Sequence, residues 1–273
     1  MPRFLVLYFA LCIILIVLLL IIEQNFYVSI MICLLLLTII FQVSIYQKKS
    51  NANIEKFNHL ESRIQELQSH ISLHSNINLN YPLPPSDGWH ASPIFLHHIV
   101  SLINEVKPKL LIEAGSGNST LISAYFLKCQ KFGRLISLEH DMDYQKRTSD
   151  LLLLNDLDSI AKVEYSPITD HYIDNHPYQW YDISKLSNDE LIDMMIIDGP
   201  PKMLVDDYLY PVLPLFYTRL SDKATILIYN GKRNTVERTI NLWKEKYNDI
   251  ISKYIDMDRG AYLVKICKDN LIF

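Results

Sequence analysis

The stretch KLLIEAGSGNSTLISAYF, residues 109–126, holds two of the seven glycines in a chain of 273 residues. Gly115 and Gly117 stand two apart, after one apolar run and before another. Glycine weakens the interior of a strand or helix, so a glycine-poor chain keeps it where a side chain is not tolerated. The run Lys109–Gly115 reads as a short buried strand and Ser119–Lys131 as a helix. Both glycines then fall in a strand-to-helix turn, where missing side chains let the backbone approach a ligand at a helix amino terminus.

The same alternation continues outward. Ser92–Val106 reads as an amphipathic helix ahead of the quoted strand. Behind it come a strand at Arg134–Asp141, a helix at Asp143–Leu157 and strands at Ala161–Ile168 and Ile192–Pro201. A helical region around Val205–Leu220, a strand at Ala224–Asn230 and a helix at Asn234–Tyr247 follow. Strands alternating with helices predict a parallel sheet covered on both faces, a doubly wound α/β fold. Ligands on such sheets bind at the carboxyl ends of the strands. Residues 169–182, TDHYIDNHPYQWYD, read as an irregular stretch fit for a substrate lid, with His171, His176, Trp180 and Tyr181 in it.

Glu139 ends the second strand, 22 residues after Gly117. An acid there can accept hydrogen bonds from both hydroxyls of a ribose; a solvated surface glutamate is the plainer reading. Dinucleotides and S-adenosylmethionine both suit this arrangement. The dinucleotide fingerprint asks for a third small residue where Thr120 stands. It also sets pyrophosphate against the turn, where Glu113 would repel it. Glu113 suits a ligand whose near end carries an ammonium and a sulfonium.

The carboxyl-terminal stretch Ile250–Ile266 reads as strand, tight turn at Asp258-Arg259-Gly260, and strand. With "EAGSGNST", "SLEHD" and "MIIDGPPK" at successive strand ends, the chain resembles class I S-adenosylmethionine-dependent methyltransferases. It looks most like a bacterial subgroup that also carries a segment of the type "GWHASP". The resemblance covers about residues 86–267. It implies a seven-stranded, mostly parallel sheet with the last strand antiparallel. By the same resemblance, Glu113, Gly115, Ser116, Gly117 and Asn118 hold the methionine end of the cofactor and Glu139 its ribose. His140 and Asp141 flank the adenosine, and Ser166 and Pro167 border the adenine.

Asp198 ends the strand that faces the transferable methyl in this family. It is the first candidate for a general base or acceptor-orienting group; a carboxylate that caps the Asp-Gly-Pro-Pro turn is the alternative. His90 can reach the same mouth, or simply pack. Some members of the family bind a divalent cation with acids at two neighbouring strand ends. Here Tyr229 stands where the second acid would be, followed by Asn230, and a hard cation needs several oxygen ligands. No metal is therefore expected, and Asp198 with Asn230 would orient the acceptor. Asp206 or Asp207 could complete a metal site only from the following region.

The first 46 residues are of another kind. Phe4–Ile22 is an uncharged run of 19 residues and Phe26–Tyr46 a second of 21, with Glu23, Gln24 and Asn25 between. As a helix the first spans about 28 Å, close to a hydrocarbon core of about 30 Å. The expectation is a transmembrane hairpin over residues 1–47, a helical stalk over 48–80 and the α/β domain over 81–273. Arg3 and Lys48-Lys49 flank the outer ends, which predicts both termini and the domain on the cytoplasmic side of the inner membrane. Phe57, Leu60, Ile64, Leu67 and Ile71 recur at spacings of three and four, a two-heptad seam over residues 54–71 that could pair two copies. Net charge is −4, which argues against nucleic acid as partner, and four unclustered cysteines argue against a disulfide framework or zinc site.

The sequence thus reads as a membrane-anchored methyltransferase of a small-molecule or lipid-linked acceptor. A non-catalytic binding or scaffold protein on the same fold is one rival, and a nicotinamide-dependent oxidoreductase a weaker one.

Overall fold

The structure, a computed structural model, describes residues 10–17, 26–84, 91–187, 189–201 and 207–268. Residues 1–63 and 64–273 form two compact units.

In the first unit, residues 10–17 are helical. The second apolar run and the polar stretch after it form one uninterrupted helix, α1 (Phe26–Asn76). Within it, Ile30–Phe57 has a mean hydropathy of 2.2 in its most apolar window, none of that window buried. Among the described residues this is the one helix long and apolar enough, by length and composition, to cross a bilayer. The turn at Glu23–Asn25 and most of the first apolar run lie outside the described residues, so the predicted hairpin rests on sequence alone. All five residues of the predicted seam are exposed, from Ile64 at 48% to Ile71 at 68%.

The second unit is built on one seven-stranded sheet. Its elements, after α1, are α2 (Pro93–Val106), β1 (Leu110–Ala114), α3 (Asn118–Gln130), β2 (Arg134–Glu139), α4 (Met142–Leu154) and β3 (Ala161–Tyr165). A hairpin follows, β4 (Ile168–Ile173) and β5 (His176–Tyr181), then β6 (Ile192–Ile197) and α5 (Val212–Phe216). The chain ends in β7 (Leu220–Tyr229), α6 (Asn234–Lys246), β8 (Ile250–Ile255) and β9 (Ala261–Ile266). The sheet order is β3-β2-β1-β6-β7-β9-β8. β9 runs antiparallel to both its neighbours, and the pairs from β3 to β7 are parallel. This is the doubly wound, mostly parallel sheet that the sequence predicts.

Local chemistry sets the element ends. Ser92 caps α2 by accepting from the Phe95 amide, with Pro93 in the first turn, where its missing N–H costs nothing. Lys107 ends that helix in the left-handed region, just before Pro108. Asp141 caps α4 by accepting from the amides of Asp143 and Tyr144. β1 is buried along its whole length, as a central parallel strand must be. One face of the sheet packs under Trp180, Phe216, Val236 and Trp243, and the other under Phe95, Ile99, Leu121 and Leu152. Fully burying one such aliphatic side chain stabilises by about 1.5–3 kcal/mol.

Two expectations are corrected. Residues 169–182 are not irregular: β4 and β5 pair in register from Ile168↔Tyr181 to Ile173↔His176. Asp174 and Asn175 form the two-residue turn, both at positive φ (51° and 66°), the geometry that matches the twist of a hairpin. Among the described residues of the helical region expected around 205–220, helix is confined to α5 and a short 3-10 turn at Tyr217–Arg219, and β7 starts four residues earlier than predicted, at Leu220.

Gly133 turns the chain from α3 into β2 at φ +86°, and a Cβ there would lie 2.1 Å from the carbonyl oxygen of Pro108. Backbone must move to admit it. Gly133→Ala is expected to lower unfolding free energy by about 2–3 kcal/mol, read by chemical denaturation.

Candidate functional site

Chain order reverses between β1 and β6: β1 leads outward to β2 and β3, and β6 outward to β7. The carboxyl ends of these two strands therefore diverge and leave a crevice, the place where open α/β sheets bind ligands. The crevice is stitched by backbone bonds. The Gly115 amide donates to Leu138 O (2.9 Å), the Asp198 amide to Ala114 O (3.0 Å) and the Ser166 amide to Glu139 O (2.7 Å). These bonds bring the strand ends at Gly115–Asn118, Glu139–Asp141, Ser166–Pro167, Asp198–Gly199 and Asn230 to one end of the sheet. Of the predicted site residues, only His90 lies outside the described residues, as does Asp206.

Glu113 is completely buried. Its Oε2 accepts a 2.6 Å hydrogen bond from the Thr120 hydroxyl, which in turn accepts from the Gly117 amide at 3.0 Å. Thr120 thus has a role the sequence did not show: it ties the buried acid to the glycine turn. The other oxygen, Oε1, has no partner among the described residues. Burial pushes the Glu113 carboxyl up to about 7, against the partial relief given by the hydroxyls of Ser119, Thr120 and Ser137. Gly115 at φ +94° and Gly117 at φ +149° hold the turn in conformations that a side chain disfavours.

Glu139 is buried and crowded with donors. Oε2 accepts from the Ser116 amide (2.9 Å) and hydroxyl (2.8 Å), and Oε1 from the Asp141 amide (3.0 Å). His140 Nδ1 stands 2.9 Å from Oε1, an ion-pair distance. Burial alone would raise its pKa, but His140 and the amides of Asp141 and Ser116 outweigh that and hold Glu139 below the usual carboxylate range. The same contact raises His140, with burial opposing. Glu139 is therefore the ionised acid of the site, and the Ser116 hydroxyl already fills one of its acceptor positions. Asp141 spends its carboxylate on the α4 cap and offers its backbone to the site. Asn118 donates to Pro84 O (3.0 Å), and its buried Oδ1 has no partner among the described residues.

Asp198 and Asn230 come together as expected: Asn230 Nδ2 donates to Asp198 Oδ1 at 3.3 Å, with Asn230 in the left-handed region at φ 61°. Burial, then the Glu113 charge, pushes Asp198 up to about 7, while Arg259 and Arg233 pull it down. Such a carboxylate is suited to take a proton near neutral pH.

Tyr229 is buried, stacks on Phe95 at 4.1 Å, donates to Asp258 Oδ2 (2.8 Å) and accepts from the Ser92 amide (3.3 Å). Ser92 Oγ also donates to Asp258 at 2.9 Å. Tyr229 thus binds the start of α2 to the β8–β9 turn. Among the described residues no three His, Cys, Asp or Glu side chains cluster as a metal site. His171 is occupied within its own hairpin, with Nε2 3.0 Å from Tyr181 O.

No family model and no curated protein matches the sequence. Solved structures match in shape. An SAH-bound methyltransferase from Podospora anserina is similar at a TM-score of 0.52 and 11% identity, over 74% of this chain and 87% of that one. Cofactor-bound Rv0187 from MTB is similar at 0.51 and 15%, over 76% and 89%. An O-methyltransferase from Bacillus cereus, in complex with SAH, gives 0.48 and 12%, over 76% and 90%. At these identities the first two likenesses establish the fold alone: the chain has a Rossmann-like fold of the methyltransferase type.

The raised carboxyls make stability depend on pH. In the unfolded chain both titrate near about 4, in the folded chain near 7. Their contribution is full below the unfolded value and is lost as pH rises through 7. Glu113→Gln removes one of these titrations. Its melting temperature, relative to the natural chain, is expected to gain between pH 5 and pH 8; a pH-independent difference would contradict the assignment.

Proposed function

We propose that this chain is an S-adenosylmethionine-dependent methyltransferase, metal-independent and acting on the hydroxyl of a small-molecule or lipid-linked acceptor. The observation that carries the reading is the set of buried polar atoms left without partners around the glycine turn. Glu113 Oε1, Asn118 Oδ1 and Tyr181 Oη all lack one among the described residues. Buried polar groups are otherwise nearly always paired, so their convergence at the switch point fits a polar ligand. The acids Glu113, Glu139 and Asp198 fit a cationic one and disfavour the pyrophosphate of a nicotinamide cofactor.

S-adenosylmethionine, when bound, supplies an electrophilic methyl group on a sulfonium. Glu113, Asn118 and the turn Gly115-Ser116-Gly117 would hold the methionine end. Glu139 would take the ribose hydroxyls in exchange for the Ser116 hydroxyl, with His140 and Asp141 beside the adenosine and Ser166 and Pro167 at the adenine. Asp198, held by Asn230, would orient the acceptor hydroxyl and accept its proton. Alignment of the acceptor is the larger part of the acceleration. The same orphaned atoms would serve a protein that only binds the ligand; the proton-accepting Asp198 favours catalysis.

We place the chain at the inner membrane through α1, as part of a two-span anchor, with the domain in the cytoplasm where the methyl donor is made. The exposed seam over residues 54–71 would pair two copies.

Calorimetry with the purified chain is expected to show binding of S-adenosylmethionine and none of NAD. Glu139→Ala should weaken that binding by about 1.5–3 kcal/mol, because the ribose loses a charged partner. NAD binding, or unchanged affinity in the variant, would reject the reading. Once an acceptor is found, turnover should survive EDTA; loss restored by magnesium or manganese would show that a metal takes part. Protease added to intact cells should leave the domain uncut, and cleavage there would contradict the orientation.

A further inference from the structure

Tyr181 ends β5, and its ring is completely buried beside Trp180 (centroids 5.2 Å, edge-on), which packs in turn on Phe216 at 5.4 Å. The hairpin therefore fixes the ring from below. The hydroxyl reaches the switch point. A Cβ on Gly199 would stand 2.2 Å from it and 3.3 Å from both Ala114 O and the Gly115 amide. Gly199 has no positive φ, so backbone conformation does not ask for glycine there; room for the Tyr181 hydroxyl does. Two features far apart in sequence thus combine to set one hydroxyl between the ends of β1 and β6.

That hydroxyl has no hydrogen-bond partner among the described residues. Burial first, then the charges of Glu139, Asp198 and Glu113, keep its proton on, well above the usual range for tyrosine. The site holds a neutral phenol facing three acids, with His140 edge-on at 6.1 Å. With no hydrogen-bond partner among the described residues, the oxygen of such a phenol keeps its lone pairs unengaged. Lone pairs among acids attract a cation or an electron-poor C–H group. A sulfonium and the carbons bonded to it offer both. The thioether that remains after methyl transfer offers neither.

We propose that Tyr181, placed by the β4–β5 hairpin and admitted by Gly199, makes this site distinguish the sulfonium donor from its neutral thioether product. The proposal rests on the reading of the site as one for S-adenosylmethionine. It goes beyond that reading in naming a residue from the hairpin, outside the strand-end motifs, and in giving it the charge of the ligand as what it senses. Product would then dissociate from the site more readily than donor.

The test is calorimetry on the full chain in detergent with S-adenosylmethionine and S-adenosylhomocysteine, for the natural chain and Tyr181→Phe. The variant removes only the oxygen. It should weaken the sulfonium ligand about fivefold, the worth of one hydrogen bond, and leave the thioether within about twofold by the same scale. Its melting temperature without ligand should be equal or higher, since an unpaired buried hydroxyl has gone. Equal loss for both ligands would assign the hydroxyl to a part they share and overturn the proposal. No change for either would make the hydroxyl idle and overturn it as well. A natural chain that binds neither ligand would instead reject the functional reading beneath it. Gly199→Ala keeps the hydroxyl but displaces it, and should cut the preference in the same direction if Tyr181→Phe does not fold.

Discussion

A carboxyl group taken wholly out of water governs this domain. Glu113 sits at the end of the central strand β1, completely buried, with one oxygen held by Thr120 and the other without a hydrogen-bond partner among the described residues. An ionised carboxylate in that setting is expensive unless paired. Much of the surrounding sequence makes sense as a response. Thr120 takes the place of a third glycine because its hydroxyl links the acid to the Gly117 amide. Ser119 and Ser137 add hydroxyls nearby. Asp198, just past the end of the neighbouring strand, is raised by burial first and then by the Glu113 charge. The two acids are each held near half-protonation at neutral pH, and a cation arriving between them would draw both into the charged form.

Glu139 behaves oppositely to that pair. Glu139 is buried too, but two amides, a hydroxyl and an imidazole surround it, and it stays ionised. A permanently charged acceptor suits hydroxyls that do not change during a reaction. A carboxyl near its midpoint suits a proton that must move. The same residue type serves both uses because one strand end is rich in donors and the other is not, which is the pattern expected where two carboxyls take different parts.

The sheet was legible in the sequence because parallel strands are buried on both faces and read as apolar runs. β1, β2, β6 and β7 are all of this kind, and their ends carry Glu113, Glu139, Asp198 and Asn230. The β4–β5 hairpin was not legible. Its turn residues, Asp174 and Asn175, lack the glycine that usually marks a tight hairpin, and Pro177 inside β5 argues against a strand. The signal that could have found it is aromatic: Tyr172, Tyr178 and Trp180 flank the turn as good strand formers. Tyr229, where the resemblance puts a second metal-binding acid, was legible as a departure, but its use was not. Its ring stacks on Phe95 and its hydroxyl bonds Asp258.

The hairpin also explains how the domain keeps a costly site in place. An unpaired hydroxyl and acids held near neutrality destabilise the free protein, so something rigid must oppose their rearrangement. Trp180 and Tyr181 lie in the same core as Val212, Phe216, Val236 and Trp243. Moving Tyr181 away from Gly199 would open that core. Backing away on the other side is blocked as well, since Ala114, Gly115 and Asp198 are joined by strand-end amide bonds. The polar groups are thus confined between a packed aromatic layer and the sheet, where a ligand of matching charge would relieve them.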